Sequence, residues 1–168
     1  SEMCIRDRFY AGTFFPEFKE ASEWRKSGID ILNHGILQQV YPDGGQYELD
    51  PHYHLATINI FYSALNMGTV NGFQKEFPQN YIDTIERMIM FYANICFPDY
   101  SNPCFSDALL TGKQYTINCY KKWSALFPDN QVIRYFATEG KEGTLPDYLS
   151  KGFTTSAVSY THLRAHET

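Results

Sequence analysis

The chain is 168 residues long with a formal net charge of −5, a length that suits one domain or part of a larger one. The acidic balance argues against nucleic acid as a partner, yet leaves room for a polyanionic sugar, because a ligand feels the local field of a cleft more than the total charge. Aromatic residues make up 17% of the chain, enough to fill a core and still offer ring faces to sugars, and no apolar run is long enough to span a membrane.

The two ends read as translated DNA of foreign origin. Val158 to Arg164 can be encoded by GTC TCT TAT ACA CAT CTC CGA, whose reverse complement, TCG GAG ATG TGT ATA AGA GAC, encodes Ser1 to Asp7. This inverted repeat resembles the transposase-adapter DNA used for sequencing libraries, and residues 165–168 continue it. The expected layout is therefore an adapter-derived tag at 1–8, helical protein at 9–150, the start of a β domain at 151–157 and a second tag at 158–168. The tags are expected to share no packed structure with the rest, and both natural termini are expected to lie outside the chain.

Phe14-Phe-Pro-Glu17 predicts the start of a first helix, since proline fits a first turn and Glu17 and Glu20 complement the dipole. Phe18, Ala21, Trp24, Gly28, Ile31, Leu32 and Gly35 form its apolar face, and it should run to about Gln38. His34, late in it, reads as a surface residue. Leu55, Ile58, Phe61, Tyr62 and Leu65 mark a second helix that stops near Gly68 or Asn71-Gly72. A third carries the stripe Ile82, Ile85, Met88, Ile89, Tyr92 and Ile95 and ends by Pro98-Asp99. Turn formers from Tyr100 to Gly112 predict a long loop. A fourth helix is expected over 115–127, with Ile117, Tyr120, Trp123 and Ser124 inward and Lys121-Lys122 solvated. A short fifth follows over 130–137, with a turn of helix near Pro146–Leu149. Residues 151–156 lose the helical period and can begin a strand. The alternation of helix and polar loop suggests an all-α fold of stacked antiparallel hairpins with a site at one rim.

Between the first two helices lies Tyr41-Pro-Asp-Gly-Gly-Gln-Tyr-Glu-Leu-Asp-Pro-His-Tyr-His54. A plain helix connector needs about 2–8 residues and no special chemistry; this one holds a tight turn, two polar side chains that could meet a ligand, Gln46 and Glu48, and a Tyr-His pair. Asp50-Pro51 reads as an N-cap and first-turn proline, placing His52, Tyr53 and His54 in the opening turn, where free N–H groups and the dipole favour anions. His52-x-His54 does not make a metal pair, because residues two apart on a helix diverge and no carboxylates complete a set. No phosphate-binding glycine loop and no nucleophilic serine or cysteine motif is present. A phenol with an ordinary pKa near 10 is a poor base until positive charge lowers it; the helix start and adjoining His54 could supply part of that field. Tyr53 thus has two open readings, packing and catalysis. Outside the tags, Cys96, Cys104 and Cys119 match neither a zinc pattern nor a disulfide framework; they read as buried thiols, with a Cys96–Cys104 bridge open.

Phe14-Phe-Pro-Glu-Phe-Lys19, Gln39-Val-Tyr-Pro-Asp-Gly-Gly-Gln46 and Pro51-His-Tyr-His54, in this order and spacing, resemble the N-terminal toroid domain of the heparinase II/III superfamily, with the heparan-sulfate lyases of polysaccharide lyase family 12 nearest. Weaker echoes are Phe97-Pro-Asp99 with Phe105-Ser-Asp107, and 151–156, which resembles the approach to the family's β-sandwich. The resemblance implies an incomplete α/α toroid and β-elimination on a uronate polysaccharide. It implies that an asparagine and a histidine offset the uronate carboxylate, that a tyrosine moves the proton, and that a histidine of the β domain assists. Only the tyrosine falls in this chain, at Tyr53; the asparagine–histidine pair is expected upstream of Phe9 and the other histidine downstream of Ser156. His54, Gln46 and Glu48 are expected to line the same cleft and bind substrate. The resemblance further implies no cofactor or metal in these residues, an acidic polysaccharide and the missing β domain as partners, and a periplasmic or secreted location. Two alternatives remain: a lyase for another uronate polymer such as alginate or hyaluronan, and a helical glycan-binding module without chemistry.

Overall fold

The structure, a computed structural model, describes residues 2–104 and 107–149. Among the described residues the regular structure is helical: α1 (Glu2–Phe14), α2 (Ala21–Gln39), α3 (Pro51–Val70), α4 (Gln79–Ile95), α5 (Lys113–Trp123) and α6 (Gln131–Ala137), with one 3-10 turn at Gln74–Glu76. The all-α expectation holds there, and the expected strand at 151–157 lies outside the described residues, as does the second tag. The chain divides into two units, Ser1–Leu49 with Tyr53–Ile89 and Asp50–His52 with Met90–Thr168.

In the first unit, Phe14 closes a helix instead of opening one. The Phe-Pro-Glu stretch forms the turns between α1 and α2, with Phe18 N–H donating to the Phe15 carbonyl and Ala21 N–H to that of Phe18. Helix α1 begins at Glu2, inside the octapeptide read as a tag. Phe9 of α1 is fully buried, and its backbone and Cβ sit so close to Gly28 of α2 that a side chain at 28 would collide. The buried face of α2 is Ala21, Arg25, Gly28, Ile29, Leu32 and Ile36, rotated from the expected one; Phe18 and Ile31 are exposed. The rotation is explained by Arg25. Its guanidinium makes a two-pronged ion pair with Glu76 (Nη2–Oε1 2.9 Å, Nε–Oε2 3.0 Å), donates to the Gly12 carbonyl at 2.8 Å and lies 3.8 Å above the Phe73 ring, so a charge is buried with its donors answered.

Helices α3 and α4 follow the sequence more closely. Leu55, Ile58, Phe61, Tyr62 and Leu65 are all buried, and α3 gives way to Gly72 at φ +80°. On α4, Tyr81 and Thr84 join the buried stripe of Ile85, Met88 and Ile89, while Ile82 is half-buried. Phe77 bridges the group, 5.3 Å from the Phe9 ring centroid and 5.2 Å from that of Tyr81, and the Tyr81 hydroxyl donates to the Phe61 carbonyl at 2.9 Å.

The second unit gathers around an aromatic cluster: Tyr120 stacks on Phe136 with centroids 4.6 Å apart and meets Trp123 edge-on at 5.0 Å. Helix α5 stops at Trp123, shorter than the expected 115–127, and turns carry the chain to the buried Phe127. Asn130 caps α6, accepting from the N–H of Val132 and Ile133. Residues 147–149 are helical, with the Leu149 N–H on the Pro146 carbonyl. The 97–112 connection is held by the fully buried Asn102, which accepts from the Thr111 N–H at 2.6 Å and donates to the Pro103 carbonyl at 3.0 Å. Cys96 and Cys119 are buried as expected. Cys104 is exposed and both it and Cys96 are free, so the Cys96–Cys104 bridge is not formed; burial pushes the Cys96 thiol up to about 12, making it inert.

Candidate active-site cleft

The loop after α2 folds back on that helix before entering α3. Val40 and Gln46 form an antiparallel bridge, the Tyr47 N–H returns to the Gln39 carbonyl at 2.9 Å, and the Tyr41 N–H reaches Gly45 at 2.8 Å. Asp43 closes the turn by accepting from the Gly45 N–H at 3.0 Å. Gly44 makes this possible: at φ +96° it adopts a conformation that L side chains rarely take, and its α-carbon lies against the Arg87 carbonyl of α4 where a Cβ would clash.

Asp50 caps α3 as expected, with Oδ1 taking the His52 N–H at 2.7 Å, so the protein's own carboxylate already answers one of the first-turn donors. Tyr53, next along, is 48% exposed, whereas His54 is 2% exposed. The two neighbours point to different environments, as helix geometry requires. His54 belongs to the stripe that continues through Ile58, Phe61 and Leu65 into the core; Tyr53 belongs to the adjacent face of Ala56, Thr57 and Ile60.

That face forms one wall of an open cleft of about 470 Å³, with Gln38 and Gln39 from the end of α2 and Gln46, Tyr47 and Glu48 from the loop completing it. The cleft therefore brings together three of the four residues singled out in the sequence: Tyr53, Gln46 and Glu48. Gln46 is 2% exposed and works as a brace, its Nε2 donating to Glu48 Oε2 at 3.2 Å while its Oε1 accepts the Glu48 N–H at 3.0 Å. Glu48 is thus held at the cleft by a buried amide.

His54 sits apart from the other three. It is absent from the cleft lining, and both ring nitrogens are engaged by backbone: Nδ1 accepts the Gln46 N–H at 3.3 Å and Nε2 lies 2.8 Å from the Met88 carbonyl. These partners require the neutral tautomer with the proton on Nε2. Burial lowers its pKa from 6.5 to about 4, against smaller opposing contributions from the Met88 carbonyl and Asp43. At neutral pH His54 is therefore uncharged, and its two backbone partners tie the cleft loop and α3 to α4. His34 is exposed, as expected. The lining residues Gln38, Gln39, Tyr47, Thr57 and Ile60 were not singled out beforehand. For Thr57 and Ile60 the signal was their spacing of four and seven from Tyr53; for the others nothing local announced them. Among the described residues no three His, Cys, Asp or Glu side chains are grouped to hold a metal ion, and no helix is long and apolar enough to cross a membrane.

The model of the heparinase II/III N-terminus matches residues 2–135. The chain belongs to this family. It is 67% identical over 147 residues to a heparin-sulfate lyase of Bacteroides stercoris, and 46% identical over 147 residues to the heparin-sulfate lyase of Pedobacter heparinus; each match takes in 88% of this chain and 22% of the relative. Among solved structures, a heparinase III superposes with a TM-score of 0.82 at 66% identity, and the heparan sulfate lyase of Pedobacter heparinus with 0.82 at 45% identity; each covers 85% of this chain and 22% of the other. This heparinase II/III chain thus spans about a fifth of the length of the curated relatives it matches.

Proposed function

We propose that the protein of which this chain is a part is a polysaccharide lyase that cleaves heparan sulfate, or a closely related uronate-containing glycan, by β-elimination, with Tyr53 moving the proton. Its helical hairpins are read as an arc of an α/α toroid. The observation that carries this reading is the placement of Tyr53: a half-exposed phenol on the wall of a cleft, backed by a packed α3 and faced by a loop fixed through Gly44, Gln46 and His54. The names borne by the relatives at 67% and 46% identity support the choice of substrate.

In such an elimination the C5–H bond of the uronate breaks, its electrons form the C4=C5 double bond, the C4–O4 bond breaks, and O4 leaves with a proton. Neutralising the uronate carboxylate makes the C5 proton acidic enough to remove; that task falls to an asparagine and a histidine expected upstream of Phe9. Tyr53 takes the C5 proton or supplies one to the departing O4, with a histidine downstream of Ser156 assisting. The chain by itself contributes only Tyr53 and its surroundings, so on this reading it does not turn over substrate, and it uses no cofactor. A sulfated extracellular polymer as substrate places the protein in the periplasm or outside the cell.

The test is the unsaturated-uronate absorbance produced by the full-length protein on heparan sulfate, alginate and hyaluronan in parallel. Product from heparan sulfate is expected. Product from another polymer alone would replace the substrate assignment, and binding without product would leave a glycan-binding module.

A further inference from the structure

Consecutive side chains of an extended backbone lie on opposite sides of it. In the cleft loop Gln46, bridged to Val40, is 2% exposed, whereas Tyr47 is 50% exposed and lines the cleft it shares with Tyr53. The backbone of Tyr47 is fixed on both sides: its own N–H donates to the Gln39 carbonyl at 2.9 Å, and the N–H of Glu48 donates to the buried Gln46 Oε1 at 3.0 Å. Three residues earlier, Gly44 seats the same loop against the Arg87 carbonyl of α4. The ring thus hangs from a fixed α-carbon with only two torsions left to settle, so little conformational freedom is lost when a ligand packs on it. Ala56 and Ile60 add apolar surface to the cleft, whose volume of about 470 Å³ falls in the usual range for ligand clefts, about 300–1,000 Å³.

We propose that Tyr47 is a substrate-binding residue whose ring face is the platform on which a pyranose of the glycan stacks while the chain reaches Tyr53. The proposal deepens the lyase reading above and rests on it. A pyranose carries its hydroxyls around the rim and leaves C–H bonds on its two faces. Those hydrogens, made electropositive by the neighbouring oxygens, meet the negative face of an aromatic ring, and the contact removes apolar area of both partners from water. Tyrosine suits an open cleft because its hydroxyl end stays in water while the ring face is covered. Stacking of this kind holds the sugar equally before and during the reaction. It is therefore uniform binding, which lowers KM and leaves kcat nearly as it was.

The experiment uses the full-length protein and heparan sulfate oligosaccharides as the probe. Formation of unsaturated uronate gives kcat and KM, and titration calorimetry in a Tyr53→Phe background, where the probe stays intact, gives Kd. The variants are Tyr47→Ala, Tyr47→Leu and Tyr47→Phe, each with its thermal midpoint. Loss of the ring, in Ala or Leu, should raise KM and Kd by about fivefold to thirtyfold with kcat within about threefold. Tyr47→Phe keeps the ring face and should stay within about twofold on all three constants. Unchanged KM and Kd in Ala and Leu, or a fall in kcat alone, overturns the proposal and leaves the lyase reading standing. A loss in Tyr47→Phe as large as in Tyr47→Ala also overturns it, assigning the contact to the hydroxyl. Should Tyr47→Ala fail to fold, Tyr47→Leu decides, since it keeps apolar bulk without a ring; failure of both to fold makes Tyr47 a packing group and overturns the proposal. No product from the unaltered protein removes the lyase reading, and Kd alone then decides whether Tyr47 is a glycan platform.

Discussion

His54 is buried neutral, and that makes the fold acid-sensitive in a defined window. Its pKa is 6.5 when free and about 4 in the folded chain, so between these values the unfolded state binds more protons. The stabilisation is fully present above pH 6.5, falls as the pH drops through 6.5 to 4, and is gone below. At about 1.4 kcal/mol per pH unit, the whole window amounts to about 3 kcal/mol, of which about 2 kcal/mol is lost by pH 5. Many carboxylates also titrate in this range, so the measurement must be a difference. His54→Gln keeps a donor for the Met88 carbonyl but does not titrate. It should be less stable than the unaltered chain at pH 7.5, since the Gln46 N–H loses its acceptor. Urea unfolding followed by circular dichroism at pH 7.5, 6 and 5 should show the gap between the two chains closing by about 2 kcal/mol. Parallel pH dependences would refute the reasoning, showing that His54 is protonated as easily folded as unfolded.

Three further outcomes follow from packing. Gly44→Ala forces a side chain into a positive-φ position and against the Arg87 carbonyl, and should cost about 2–4 kcal/mol in urea unfolding; a loss under 0.5 kcal/mol would mean the loop is not docked on α4. Arg25→Leu leaves Glu76 and the Gly12 carbonyl unanswered; because the Glu76 side chain is 36% exposed, the loss should be about 2–3 kcal/mol, below that for a fully buried pair. Removing residues 1–8 should cost less than about 1 kcal/mol, as Asp7 and Arg8 are exposed, whereas Phe9→Ala, which empties a fully buried site, should cost about 3–5 kcal/mol by the same denaturation.

Legibility in the sequence tracked how local each interaction is. Helices α3 and α4 could be read because Leu55, Ile58, Leu65, Ile85 and Met88 repeat at helical spacing and all point into the core. Helix α1 was missed because its first residues read as foreign DNA and because Phe14-Phe-Pro suits a turn as well as a helix start. The face of α2 was misplaced by one turn position because its key residue, Arg25, is buried by a partner 51 positions away, which no window on α2 can contain. At the site, the Asp50-Pro51 cap and the turn at Gly44 were written locally, and they place Tyr53. Whether Tyr53 or His54 faces the cleft was decided by α4, through the Met88 carbonyl, although the run His54, Ile58, Phe61, Leu65 already carried that signal.

The central claim is that Tyr53 handles the proton in a β-elimination, and Tyr53→Phe in the full-length protein tests it most directly. The change removes the phenolic oxygen and keeps the ring's packing on a half-exposed site, so the thermal midpoint should stay within a degree or two of the unaltered protein's. Steady-state formation of unsaturated uronate from heparan sulfate should show kcat lower by on the order of 10²–10⁴-fold with KM little changed. Turnover within about threefold of the unaltered protein, or elimination by the 168-residue chain alone, would contradict the account.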